Sequence, residues 1–293
     1  MFTRCLGDND ALRGHAYYIP LAWHAAKGED MFAAANEEPS STGNLSGLAR
    51  SYLTALGFPN PDTDATTAEL IWMHALAIGY SPANLSDNAD GIRENWPHIP
   101  LPATREILLA SAALGREVAA LLDTEATVPG VTSGTLRPEI KSIAVVSRVG
   151  GGALKPEEFA LTAGWGSGGN GKPVMPGLGK VERHAGSSPH PNPLPEGEGV
   201  IPERAFDVYL NAKAYWKNVP RPVWEFTTGG YQVMKKWLSY REQRVLGRAL
   251  TMAEIMEVTA MARRLAALVL LQSTLDENYK TVAAATWALG DAP

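Results

Sequence analysis

The 293-residue sequence has little of three features that define whole classes of protein. Its single cysteine, Cys5, can form no disulfide within the chain and has no second cysteine with which to build a structural zinc site. The longest apolar run, 265–271, is far shorter than the roughly 20 residues that a membrane-spanning helix needs. The N-terminus has no apolar run of signal-peptide length. We therefore expect a cytoplasmic protein that does not span a membrane.

Positive charge is also scarce over the whole chain. Lys and Arg number 26 against 31 Asp and Glu, which gives a net charge of −5, and charged residues make up only 19% of the sequence. This balance excludes a uniformly basic protein that coats nucleic acid without regard to sequence. A local basic surface is still compatible with it.

The pattern of apolar residues predicts an α+β fold, with helices at both ends and short strands and glycine-rich loops in the middle. Leu, Ile, Val and Ala recur at helical spacing, and Thr251 with Glu254 forms a capping box before the last helix. The predicted helices are 45–56, 67–79, 102–123, 230–240 and 251–272, and the predicted strands are 16–23, 142–149, 207–210 and 223–227.

Two segments are predicted to be a linker and a disordered insertion rather than helices or strands. Residues 31–45 are polar and aperiodic, which is typical of a linker after a short first segment, 1–30. Residues 184–199 are rich in proline and glycine and cannot form a helix or a central strand. We expect a disordered insertion at 184–199 within a main domain that covers 46–293.

Motifs for catalysis are weak. Gly166–Lys172 (GSGGNGK) matches a phosphate-binding loop, but Pro173 stands where Ser or Thr should bind Mg²⁺ and no apolar strand precedes the loop. No serine-nucleophile or dinucleotide-binding motif is present, and the six histidines are scattered. His74, on an apolar helix, is expected to be a packed, hydrogen-bonded histidine. The sequence thus predicts no catalytic or metal-binding residue.

A basic and aromatic segment lies between residues 213 and 248. It carries eight Lys and Arg against two Glu, a local balance of +6, so the rest of the chain totals −11. Cations contact phosphates, arginines and amides read base edges, and aromatic rings pack against both, so this composition is typical of a nucleic-acid-binding surface. The alternative is the solvated face of an amphipathic helix, with the tryptophans in the core.

Several segments in this region and before it form an ordered set. They include AYWKNVPRPVWEFTTGGYQVMKKWLSYRE (214–242), LGRALT (246–251), VTAMARRLAAL (258–268) and LDENY (275–279). Earlier segments are LIWMHALAIGYSPA (70–83), NADGIRENWPHIPLPA (88–103), LLASAALGREVAALLD (108–123) and VPGVTSGTLRPEI (128–140). Together they resemble the C-terminal specificity region of type ISP restriction-modification enzymes.

This resemblance implies a function in DNA recognition. Type ISP enzymes join a nuclease, an ATP-driven translocase, an adenine-N6 DNA methyltransferase and a target recognition domain in one polypeptide. Residues 46–293 would then be the recognition domain, and 1–30 the end of the methyltransferase core. The expected partner is double-stranded DNA, bound so that the methyltransferase can flip its target adenine.

Other parts of such an enzyme are missing. The chain has no N-P-P-[YF] motif, since Asn192 is followed by Pro-Leu-Pro, and no S-adenosylmethionine loop, helicase motif or nuclease motif. S-adenosylmethionine, ATP and Mg²⁺ would therefore belong to other modules on a methyltransferase or translocase polypeptide. We expect a recognition module without its own catalysis, encoded as a separate subunit, a split gene or a truncated fragment.

Charge and position, rather than the resemblance, indicate which residues would contact DNA. For phosphates these are Lys217, Arg221, Lys235, Lys236, Arg241 and Arg244, and for base edges Tyr231 and Gln232. Two other functions stay open. One is a protein-interaction module that docks on a methyltransferase through the helix from Met252, and the other is a nucleotide-binding enzyme that uses Gly166–Lys172.

Overall fold

The structure is a computed structural model that describes residues 19–24, 41–95, 97–163, 181–184, 205–228 and 230–288. The chain divides into two compact units. The helical unit comprises residues up to 123 and from 272 onward, and the sheet unit comprises residues 124–271. No helix in the described ranges is both long and apolar enough to cross a membrane.

The helical unit consists of two short paired strands and a group of helices. Its elements are β1 (Ala22–His24), β2 (Ser41–Gly43), α1 (Gly47–Ala55), α2 (Ala65–Gly79), α3 (Pro82–Asp87), α4 (Ala89–Glu94), α5 (Arg105–Leu122) and the C-terminal part of α10 (Met252–Ala284). Side chains cap the N-termini of four helices, since Ser46, Asp64, Ser81 and Thr104 accept hydrogen bonds from backbone N–H groups of α1, α2, α3 and α5.

The core of this unit lies between α1, α2 and α5. Tyr52 and Leu53 of α1, Met73 of α2, and Leu108 and Ala112 of α5 are buried in one cluster. Burial of such apolar side chains stabilises the helices far more than their intrinsic propensity does.

The last part of α10 is tied to the helical unit by hydrogen bonds. The Asp276 carboxylate accepts from the Ser81 hydroxyl at 2.6 Å and from the backbone N–H of Ala83 at 2.8 Å. Asn278 donates to the Ser111 hydroxyl at 2.9 Å. These bonds fix residues of α10 against the helices that precede residue 123.

The sheet unit is built around an antiparallel sheet in the order β3–β6–β5–β4. Its elements are α6 (Pro138–Lys141), β3 (Val145–Arg148), a 3-10 helix (Pro156–Phe159), β4 (Val181–His184), β5 (Ala205–Tyr209), β6 (Ala214–Pro220), α7 (Arg221–Trp224), β7 (Thr227–Thr228), β8 (Tyr231–Gln232), α8 (Val233–Tyr240), α9 (Gln243–Leu246) and the first part of α10.

One face of this sheet packs against the start of α10. Trp216 of β6 is fully buried and its indole N–H donates to the Ile255 carbonyl at 3.3 Å. Thr259 donates to the carbonyl of Ala144, just before β3, at 2.9 Å. Because residues alternate between the two faces of a strand, the neighbours of Trp216 lie on the opposite face.

A buried carboxylate joins three segments at one end of the sheet. Glu158 accepts from the Arg148 guanidinium at 3.1 to 3.2 Å and from the Lys155 backbone N–H at 3.1 Å, and it lies 3.8 Å from the Lys213 ammonium. The hydrogen bond from Arg148 is the largest cause that holds the pKa of Glu158 below its ordinary value. This cluster fixes the loop after β3 to the turn between β5 and β6.

The α+β class that the sequence predicts is confirmed. The helices predicted at 45–56, 67–79, 102–123 and 251–272 are present as α1, α2, α5 and α10, although α10 continues to Ala284. The Thr251–Glu254 capping box also forms, with Glu254 N–H to Thr251 hydroxyl at 3.2 Å and Thr251 N–H to Glu254 carboxylate at 2.7 Å.

Other expectations differ from the structure. A strand at 223–227 is wrong, because prolines at 220 and 222 start the short helix α7 at Arg221. The helix expected from Gly230 begins only at Val233, and β2 lies within the segment read as a linker. The expected insertion at 184–199 and the loop Gly166–Lys172 fall, apart from His184, outside the described residues.

Candidate nucleic-acid interface

All eight residues expected to contact DNA belong to the sheet unit. Lys217 lies on β6 and Arg221 starts α7. Tyr231 and Gln232 form β8, Lys235 and Lys236 lie on α8, and Arg241 and Arg244 follow α8. Five of these residues, 231, 232, 235, 236 and 241, lie on α8 or directly beside it in the chain, and Lys217, Arg221 and Arg244 belong to other elements.

Helix α8 is positioned by its apolar side. Met234 and Leu238, one helical turn apart, are buried, and the Val233 N–H donates to the Phe226 carbonyl at 3.1 Å. With 100° per residue, Lys236 and Tyr240 point away from this buried side, and Lys235 and Trp237 lie on its two flanks. The outward surface of α8 is thus made of cations and aromatic rings.

Lys236 lies between two tyrosines on this surface. Its ammonium nitrogen is 4.6 Å from the ring centroid of Tyr231 and 4.6 Å from that of Tyr240. A cation above an aromatic face is attracted by the ring quadrupole, which restricts where the lysine can point. Tyr231 therefore supports a cation next to α8, a role that the prediction of a base reader did not include.

Trp237 and Arg241 form a second stacked pair along α8. The Arg241 guanidinium carbon lies 4.1 Å from the centroid of the Trp237 ring. The indole N–H of Trp237 donates to the Glu257 carboxylate of α10 at 2.7 Å. This hydrogen bond holds the ring on which Arg241 stacks.

Three arginines of the basic segment are bound by carboxylates instead. Arg221 donates to both carboxylate oxygens of Glu225 at 3.0 Å, and Arg244 donates to the buried Glu242. Arg248 binds Glu254 at 2.8 and 3.0 Å, and this contact is the largest cause that lowers the pKa of Glu254 to about 2. Much of the charge of these arginines is neutralised within the unit. The role expected for Arg221 and Arg244 at phosphates stays a prediction.

Lys217 is separated from the surface of α8. It is exposed and neighbours Trp216 along β6, so it lies on the sheet face opposite to the one that packs on α10. Tyr215 shares that face and stacks on Tyr209 with ring centroids 5.0 Å apart. Lys217 is thus a cation of the open sheet face.

The sequence analysis did not predict the contacts of Lys236 and Arg241 with aromatic rings, nor the contribution of Glu257. The spacing of four residues from Lys236 to Tyr240 and from Trp237 to Arg241 is a signal that could have shown them, because such residues are neighbours on a helix. Glu257 lies 20 residues from Trp237 and has no local signal.

Charge is divided between the two units. The sheet unit has 18 Lys and Arg against 13 Asp and Glu, a net charge of +5, and the helical unit has 8 against 18, a net charge of −10. The part of the chain that the structure describes contains no group of three His, Cys, Asp or Glu that could hold a metal ion.

A comparison with protein families gives one match that covers most of the chain. The model described as the type ISP C-terminal specificity domain matches residues 1–265. Neither curated proteins nor solved structures give a significant match.

Proposed function

Because the chain belongs to the family of type ISP C-terminal specificity domains, we propose that it recognises a specific sequence in duplex DNA for an adenine-N6 methyltransferase. The family supports target recognition in a restriction-modification system. The methyltransferase is the proposed protein partner. S-adenosylmethionine, ATP and Mg²⁺ would be bound by that partner and not by this chain. We also propose that the chain works in the cytoplasm.

The observation that carries the proposal is the outward surface of α8. Within the described ranges, Lys235, Lys236 and Arg241 make no ion pair with a carboxylate, and all three lie on or directly after one helix. The major groove of B-DNA is about 12 Å wide and admits an α-helix. Free cations on such a helix would face the phosphates that line the groove.

The same surface offers a candidate for base contact. Gln232 is the N-cap residue of α8, and its side chain makes no capping hydrogen bond. A glutamine amide can donate to and accept from adenine N7 and N6 at the same time. We assign Gln232 to a base edge, Tyr231 to the support of Lys236, and both lysines to phosphates.

Selection from a randomised duplex pool tests this function with the full chain. We expect a single enriched sequence, and binding to it should weaken steeply with salt, because each phosphate contact adds about −0.9 to the slope of log K against log[salt]. The double variant Lys235→Ala/Lys236→Ala should make that slope shallower by about 1.8.

Lys280→Ala is the matched control, because Lys280 is an exposed lysine of α10 in the helical unit. It should leave the slope unchanged. A wild-type chain that enriches no sequence even at low salt would refute recognition by this chain alone and favour the protein-interaction module. An equal change of slope in both variants would place the DNA away from α8.

A further inference from the structure

The described arginines of the basic segment differ in the groups that their guanidinium side chains contact. Arg221, Arg244 and Arg248 each donate to a carboxylate of the sheet unit. Arg241 has no carboxylate partner in the described ranges and stacks on Trp237 instead. Its guanidinium N–H donors are therefore available to a ligand, whereas those of the other three are partly used.

The Trp237 ring restricts where this guanidinium can lie, since the guanidinium carbon is 4.1 Å from the ring centroid. Attraction between a cation and the face of an aromatic ring holds the guanidinium over that ring. The Trp237 ring is held by its hydrogen bond to Glu257 at 2.7 Å, and Leu238 beside it is fully buried. The position of the Arg241 guanidinium thus depends on two elements, α8 and α10.

We propose that Arg241 reads a guanine in the recognised sequence, and that Trp237 and Glu257 are its positioning residues. This inference rests on the proposed function, and it reassigns Arg241 from a phosphate to a base. Guanine presents the acceptors O6 and N7 on its major-groove edge, and a guanidinium can donate to both at once.

A fixed guanidinium suits a base better than a phosphate. Phosphate contact requires positive charge but little orientation, and Lys235 and Lys236 on the same helix supply that charge. A bidentate bond to guanine requires a guanidinium that is held in place, and contact with a ring that is itself hydrogen-bonded restricts its movement. The Arg241–Trp237 contact therefore favours base reading over phosphate contact.

Selection from the randomised pool distinguishes the two roles of Arg241. With Arg241→Ala, we expect the preference for G·C to disappear at one position, where discrimination falls by roughly 10- to 100-fold, while the other positions are retained. Arg241→Lys should lose most of the same preference although it keeps the charge. Lys235→Ala serves as contrast, because it should weaken binding to all sequences alike.

Two variants of Glu257 test whether this residue positions Arg241 through Trp237. Glu257→Ala should weaken the same G·C preference, and Glu257→Gln should retain it, because the amide oxygen can still accept the indole N–H. Tryptophan fluorescence of these variants reports whether the Trp237 environment changes with Glu257→Ala alone.

Two results overturn the inference, and they can be told apart. A wild-type chain without any enriched sequence would remove the proposed function and the inference together. A wild-type chain with an enriched sequence that Arg241→Ala leaves unchanged, with a salt slope shallower by about 0.9, would make Arg241 a phosphate contact and leave the proposed function intact.

Discussion

His74 shows how one buried polar side chain is accommodated in the helical unit. Its Nε2 lies 2.8 Å from the Pro100 carbonyl, which can only accept, so that Nε2 carries the proton. Its Nδ1 lies 2.7 Å from the Ser111 hydroxyl, which in turn accepts from Asn278. This network satisfies a neutral imidazole and confirms that His74 is a packed, hydrogen-bonded residue.

The network predicts that the helical unit loses stability in mild acid. Burial lowers the pKa of His74, so the unfolded chain binds a proton at a higher pH than the folded chain. As pH falls below about 6.5, the free energy of unfolding should decrease by at most about 1.4 kcal/mol per pH unit. Urea unfolding at pH 7.5 and 5.5, measured for the wild type and for His74→Gln, should show a smaller pH effect in the variant.

An equal pH effect in both proteins would mean that His74 titrates in the folded state as it does in the unfolded state. That result would contradict the role assigned to its burial. Any pH effect that the two proteins share must come from other groups.

At the scale of elements, the close contact of α2 and α5 depends on Gly115. A Cβ atom at this position would lie 1.8 Å from the Met73 carbonyl oxygen and 2.5 Å from its carbon. Both are backbone atoms, so Gly115→Ala forces the helices apart and should cost about 1–3 kcal/mol or more. The urea midpoint of the far-UV circular dichroism signal should fall.

Gly79→Ala is the control for this change, because Gly79 ends α2 and a Cβ there meets no atom within 4 Å. It should leave the midpoint nearly unchanged. Similar midpoints for both variants would mean that α2 and α5 do not approach each other at Gly115.

The helices of the fold could be predicted from the sequence better than the strands. Helices α1, α2, α5 and α10 have apolar residues at regular spacing and polar caps, both of which are local signals. Strand β6 carries Trp216 and Lys217 between prolines and aromatic residues, and its place in the sheet depends on pairing with β3 and β5, which are distant in sequence. Pairing between strands that are distant in sequence produces little signal in the sequence of each strand.

For the candidate interface, too, local features could be predicted from the sequence and contacts between distant residues could not. The basic segment and α8 follow from composition and from the Val233–Trp237 and Met234–Leu238 spacings. The Arg221–Glu225 ion pair, four residues apart, also has a local signal. The bonds of Arg248 to Glu254 and of Trp237 to Glu257 do not follow in this way, because both carboxylates lie on α10. The count of +6 over the segment already subtracts Glu225 and Glu242 but not Glu254, so it overstates the net charge.

At the scale of the whole molecule, the net charge is negative, whereas the sheet unit that is proposed to bind DNA is positive. The helical unit, at −10, outweighs the sheet unit, at +5. Repulsion between net charges acts over distance, and at physiological ionic strength it is largely screened beyond about 8 Å. The contacts proposed for the surface of α8 would be made at short range, so the two effects should respond differently to salt.

This difference gives a prediction for carboxylates of the helical unit. Asp87, Glu94 and Glu117 are exposed and make no ion pair in the described part of the chain. Replacement of all three by their amides reduces the net charge from −5 to −2, and association with DNA should become faster at low salt. Stopped-flow association rates in 20 mM and in 150 mM salt should show a gain at the first concentration and almost none at the second. A gain that persists at 150 mM would indicate that these carboxylates lie against the DNA itself, and the assignment of binding to the sheet unit alone would have to be given up.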